Sequence, residues 1–139
     1  MLFLSNLPMP GRWRYIFVKL GGVKFNLPSN EKHIVFIGRN VTFDSMFPES
    51  IIIENFAHIT DGCVLLTHLL SVDKDDIYFT QGEIIIKEHA FLGARTIITK
   101  SVTIGKHSVV GAGSVVTKDI PPYQIWAGNP AKFIKEIKH

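Results

Sequence analysis

The sequence predicts an all-β protein, a parallel β-solenoid with a triangular coil, on three observations. From Ile86 onward the chain divides into blocks of six: IKEHAF, LGARTI, ITKSVT, IGKHSV, VGAGSV and VTKDIP. The first residue of each block is aliphatic (Ile86, Leu92, Ile98, Ile104, Val110, Val116), and the fifth is small or β-branched (Ala90, Thr96, Val102, Ser108, Ser114, Ile120). Neither the 3.6-residue period of a helix nor the alternation of a simple hairpin produces a strict period of six.

Each block supplies one short flat strand and one corner, so three consecutive blocks close one triangular coil. The aliphatic residue points inward and stacks on its equivalent in the next coil, about 4.8 Å away, while the small residue fits where the corner narrows. Gly93, Gly105, Gly111 and Gly113 fall at or beside corners, where a missing Cβ eases unusual dihedrals.

Upstream the frame persists with two interruptions. Ile37 and Phe43 are six apart, and Ile53, Ile59 and Leu65 resume after a step of ten, so four extra residues bulge out within DSMFPES, about 44–50. Leu65 and Ile86 are separated by three blocks plus half of another, and the segment LLSVDKDDIYFTQG lacks the pattern. It is expected to protrude as a loop over about 69–83, directly after His68. Loops carried on a rigid scaffold are where function concentrates.

Three regions follow. Residues 1–33 form a helical and extended segment packing on the solenoid, residues 34–120 the solenoid, and residues 121–139 a cap. Pro121 and Pro122 end strand pairing, Gly128-Asn129-Pro130 is a turn, and AKFIKEIKH is expected to form a short helix. Such a cap covers edge groups that the last coil would leave unpaired.

The 139 residues suit a single domain, and 46% apolar with 19% charged residues describes an ordered globular chain. Cys63 is the one cysteine, which excludes a disulfide framework and makes the reducing cytoplasm the expected compartment. At the fifth position of its block it is expected to fill the core. No stretch approaches the roughly 18 apolar residues of a spanning helix. Arg12, Arg14, Lys19 and Lys24 flank Trp13, Tyr15, Ile16 and Phe17. This segment is read first as a short helix packing Trp13, Phe17 and Leu20 on the domain, and second as a peripheral contact with an anionic membrane. A net charge of +3 spread along the chain does not make a nucleic-acid surface, but it suits an anionic small molecule.

His68 stands in CVLLTHLLS after an apolar run, where a core histidine and a catalytic base look alike. The blocks together with VLLTH, GAGSVVTKDIPP and AGNPAK resemble the left-handed β-helix, hexapeptide-repeat acyltransferases, the family of maltose, galactoside, serine and xenobiotic acetyltransferases. The resemblance runs from about Ile34 to Ile137. The opening LPMPGRWRYIFVKLGG and FDSMFPESIII are similar to a subgroup from surface-polysaccharide pathways.

That resemblance implies a homotrimer with active sites between subunits, acetyl-CoA as co-substrate, no metal, and a small-molecule acceptor, a sugar or sugar-linked metabolite. It makes His68 the general base that takes a proton from the acceptor. An ordinary imidazole titrates near 6.5 and is suited to this. It assigns Ala94 and Ala112 to the pantetheine groove, Thr117 and Lys118 beyond them, and Lys132 and Lys135 near the adenosine phosphates. Many relatives carry an acid directly after the histidine, whereas Leu69 and Leu70 follow here. Asp44 is therefore expected either to bind the acceptor or to steer His68, with a solvated corner aspartate as the plain alternative.

O-acetyl transfer is the expected activity; N-acetylation of an amino sugar and a non-catalytic scaffold are the alternatives. His89 and His107 lie three blocks apart, one full coil, and should stack on one corner. No histidine pair has the H-x4-H spacing of the zinc enzymes that share this fold. His58 is placed toward the groove, His33 and His139 at the margins, and Trp126 against the last coil.

Overall fold

A computed structural model describes residues 7–29 and 34–138. His33 and His139 lie outside the described residues, as does the apolar opening at residues 1–6.

Short parallel strands stack into three faces. The first carries Lys24–Asn26, Ile51–Glu54, Ile84–Ile86 and Val102–Ile104. On the second lie Phe36–Ile37, His58–Ile59, Phe91–Leu92 and Val109–Val110, and the third holds Thr42–Phe43, Val64–Leu65, Ile97–Ile98 and Val115–Val116. The registers realise the three-block coil: Ile86 stands beside Ile104, Leu92 beside Val110 and Ile98 beside Val116. The upstream frame continues the same columns, with Ile37 beside Ile59 and Phe43 beside Leu65.

These columns are the core. Ile37, Ile53, Ile59, Leu65, Ile86, Leu92, Ile98 and Ile104 are fully buried, and so are the corner fillers Ala57, Cys63, Ala90, Thr96, Ser108 and Ser114. A buried hydroxyl needs a partner, and each finds one three residues back: Thr96 Oγ1 donates to the Gly93 carbonyl (2.7 Å), Ser108 Oγ to Gly105 and Ser114 Oγ to Gly111 (both 2.6 Å). The small fifth position is thus a polar rivet as well as a filler. Gly93 owes its place to the close approach of the next coil, because a Cβ there would lie 2.5 Å from the Ala112 nitrogen. Gly113, at φ +71°, and Gly62, at φ +73°, are corner glycines that use their conformational freedom.

His89 and His107 stack as expected, ring centroids 4.5 Å apart, within a corner ladder running Phe56, His89, His107, Tyr123. A second column on the second face alternates Phe36, His58 and Phe91. Burial, and secondarily repulsion from His89, lowers the His58 pKa below the ordinary histidine value.

The helix Gly11–Leu20 closes the first coil. Val18 enters the core, and Arg14, also buried, donates from Nη1 to the Ile37 carbonyl (3.2 Å). Trp13 and Leu20 face outward, contrary to the expectation that they pack on the domain. The cause is phase: Arg14 and Val18, four apart, occupy the inner stripe, and Trp13 and Leu20 fall on the other side.

Two further corrections concern the insertions and the tail. The segment after the third-face strand is a β-hairpin, His68–Val72 against Ile77–Gln81. At the other end, the expected terminal helix is the strand Ala131–Glu136, antiparallel to Gln124–Gly128. Gly128, at φ +107°, turns the chain back. So short a segment gains little as an isolated helix, whereas pairing satisfies a row of backbone groups on the neighbouring strand. Trp126 packs against the core, as expected.

Candidate active site

The site is built where the coil gives way to the hairpin. Leu65 ends a third-face strand, and shortly after it the chain leaves the prism at His68. The bulge at 44–50 diverges from the same corner one coil earlier, so Asp44 comes to lie directly behind His68.

Asp44 is the keystone. Its side chain is 0% exposed, and six polar atoms surround its two oxygens. Oδ1 accepts from the backbone N–H groups of Met46 (2.7 Å) and Phe47 (3.2 Å). Oδ2 accepts from the N–H groups of Thr67 (2.6 Å) and His68 (2.7 Å), has the Thr67 hydroxyl at 3.1 Å, and lies 2.7 Å from His68 Nδ1. Burial alone would raise the carboxyl pKa. The backbone N–H groups of His68, Met46, Phe47 and Thr67 outweigh it and hold the carboxyl well below the usual carboxylate range. Of the roles expected for Asp44, steering His68 has the geometry; acceptor contact and the solvated corner do not, since no part of the carboxylate reaches the surface.

An ionised carboxylate can only accept, so the imidazole must carry its proton on Nδ1. In the neutral ring that leaves the Nε2 lone pair free. The His68 side chain is 31% exposed, and the Phe79 ring meets it edge to face at 5.7 Å. The residue lines an open cleft of about 650 Å³ together with Leu70, Ser71 and Phe79 of the hairpin and Thr99, Lys100 and Ser101 of the next coil. Such a volume suits a small molecule.

The remaining candidates divide between prism edges. Thr117 and Lys118 follow the strand Val115–Val116 and share the His68 edge, two coils along. Ala94 and Ala112 lie between the second and third faces, both exposed, one coil apart on a different edge. Exposed Lys132 and Lys135 sit on the terminal strand of the second face. One chain therefore does not bring His68 together with Ala94 and Ala112. Thr67, Phe79 and Lys100 were not singled out by the sequence. Phe79 had a signal in the two short apolar runs, Leu69-Leu70 and Ile77-Tyr78-Phe79, which flank an acidic turn and pair as a hairpin. Among the described residues no three His, Cys, Asp or Glu side chains converge as metal ligands.

The triangular coil of six-residue blocks is the left-handed β-helix fold of the hexapeptide-repeat acetyltransferases. Residues 83–118 match the family described as the hexapeptide repeat of succinyl-transferase. Galactoside acetyltransferase, solved in complex with coenzyme A, is 27% identical with a TM-score of 0.68, covering 99% of this chain and 77% of that one. A maltose O-acetyltransferase from Clostridium difficile 630 is 25% identical with a TM-score of 0.64, covering 99% and 83%. The 2,3,4,5-tetrahydropyridine-2,6-dicarboxylate N-acetyltransferase of Brevibacillus brevis (strain 47 / JCM 6285 / NBRC 100599) is 43% identical over 54 residues, 39% of this chain. The chain spans 23% of the length of that curated relative.

Proposed function

We propose that the protein is an acetyl-CoA-dependent O-acetyltransferase acting on a hydroxyl of a sugar or sugar-linked metabolite, with His68 as general base. The observation that carries this reading is the His68–Asp44 pair at the mouth of the cleft. Asp44 holds the imidazole in the tautomer whose Nε2 faces the cleft and stabilises the charge that ring acquires on taking a proton. Acetyl-CoA supplies the activated acyl group, so neither a covalent enzyme intermediate nor a metal is required. What remains for the protein is to align the acceptor and to remove its proton as it attacks.

Ala94 and Ala112 fit a pantetheine arm, because small exposed side chains leave strand backbone open to close approach. Lys118, Lys132 and Lys135 provide ammonium groups for phosphates. The active assembly is a homotrimer in which the His68 edge of one chain faces the Ala94–Ala112 edge of another. The likenesses to galactoside and maltose acetyltransferases support a sugar acceptor, and surface-polysaccharide synthesis in the cytoplasm is the setting consistent with it. The Brevibacillus relative supports a second reading, N-acetylation of an amino sugar.

Thiol release from acetyl-CoA, measured with matched panels of sugars and amino sugars, tests both readings. An acceptor-stimulated rate that falls about 10²-fold or more in His68→Ala, with coenzyme A binding retained, is the expected result. An unchanged rate in that variant would remove His68 as the base, and stimulation by amino sugars alone would select N-transfer.

A further inference from the structure

Among the described residues, nothing covers the other face of the helix that closes the first coil. Trp13, Ile16 and Leu20, spaced i, i+3 and i+7, are 53%, 38% and 62% exposed, and Leu7 just before the helix is exposed too. Single exposed apolar residues are ordinary, but an aligned stripe that includes a tryptophan marks a contact surface.

Charge indicates what the surface meets. Residues 1–30 contain Arg12, Arg14, Lys19 and Lys24 and no aspartate or glutamate; the first acid is Glu31. Lys19 and Lys24 are exposed and flank a shallow depression with Val23, Phe25 and Ile52. Neither makes an ion pair among the described residues.

We propose that this helix face docks on the surface of an anionic phospholipid bilayer. Trp13 would sit at headgroup level, Ile16 and Leu20 at the acyl boundary, and Lys19 and Lys24 against lipid phosphates. A second protein copy fits the face less well. Ten helical residues span about 15 Å, and three partly exposed side chains fall well short of the roughly 800 Å² per partner of a stable protein interface. Shallow insertion plus a few charges is, by contrast, the ordinary means of reversible membrane association. The helix covers the end of the solenoid, so the bare face looks away from the stacked coils and shares no residue with the His68 cleft.

Cosedimentation with vesicles of phosphatidylcholine alone, and of phosphatidylcholine mixed with phosphatidylglycerol, tests the proposal without reference to enzymatic activity. The protein is expected to bind the mixed vesicles about tenfold or more better than the neutral ones, and to dissociate as salt is raised. Trp13→Ser with Leu20→Ser, and separately Lys19→Glu with Lys24→Glu, should each lower that binding about tenfold. In a Trp126→Phe background, emission from Trp13 should shift to the blue on adding anionic vesicles. Absence of binding by the parent, or equal binding to neutral vesicles, overturns the proposal. So does a change in the parent's sedimentation coefficient on Trp13→Ser with Leu20→Ser, which would assign the face to contacts between copies.

Discussion

Asp44 illustrates how much chemistry a single side chain can concentrate. Asp44→Asn keeps the shape but puts an amide N–H₂ among groups that are themselves donors, so at least one buried donor loses its partner at a cost of about 1–3 kcal/mol. It also removes the charge that fixes the His68 tautomer. The variant is expected to melt at lower temperature and to lose about 10²-fold or more in turnover. The pH dependence has a defined sign. The folded carboxyl pKa lies below the unfolded value of about 3.9, so over that interval the unfolded state binds more protons and stability rises with pH. The stabilisation is present above about pH 4 and is lost as pH falls through the folded value. Melting curves between neutral and acidic pH should show a steeper acid loss in the parent than in Asp44→Asn.

His58 gives a second test of sign at the same scale. Its folded pKa is depressed, so protonation as pH falls below the ordinary value of about 6.5 disfavours the folded state. His58→Phe would continue the ring column between Phe36 and Phe91 and should abolish the loss of stability on going from pH 7 to pH 5. A parent whose melting temperature is flat across that interval would contradict the assignment. The candidate base itself was only half legible in the sequence. Its position left a core histidine and a base equally open, and the family resemblance singled out His68 and put Asp44 forward to bind the acceptor or steer it. Which of those roles Asp44 takes was not legible, because the two lie 24 residues apart across a bulge and no local spacing sets their contact.

At the scale of elements, the coil was legible because six-residue periodicity is imposed by the prism itself: every inward residue must be aliphatic and every corner narrow. The hairpin and the terminal strand were not, because each is held by one neighbouring strand rather than by a repeating environment. The two classes of corner glycine should respond differently to one methyl group. At Gly93 an added Cβ meets backbone of the next coil at 2.5 Å, and that contact has no rotamer to relieve it. Gly113 has open space and only a positive φ to resist substitution. Gly113→Ala is expected to cost about 1 kcal/mol and Gly93→Ala about 3 kcal/mol or more, compared by chemical denaturation. The reverse order would mean that coil spacing is softer than the packing implies.

For the whole molecule, the decisive feature is that His68 and the Ala94–Ala112 column occupy different edges of one prism. A rigid solenoid cannot fold one edge onto another, so a site needing both requires a second copy. The proposed homotrimer supplies that copy, with the His68 edge of one chain against the Ala94–Ala112 edge of another. The sequence could not reveal this division alone, since edge assignment depends on register, and the register is shifted by the insertions at 44–50 and 69–83.

The most direct measurement is subunit complementation. His68→Ala and Ala112→Trp variants carrying different tags would be coexpressed, the mixed assemblies isolated through both tags, and acceptor-stimulated thiol release compared with each variant alone and with the parent. If His68 of one chain serves an acyl group held against the alanine column of another, each variant alone is inactive. In each mixed trimer, whichever variant is in excess, one of the three sites combines an intact histidine edge with an intact alanine edge, restoring about a third of parental activity. Mixed assemblies no more active than the two variants separately, beside an active parent, would contradict the shared site.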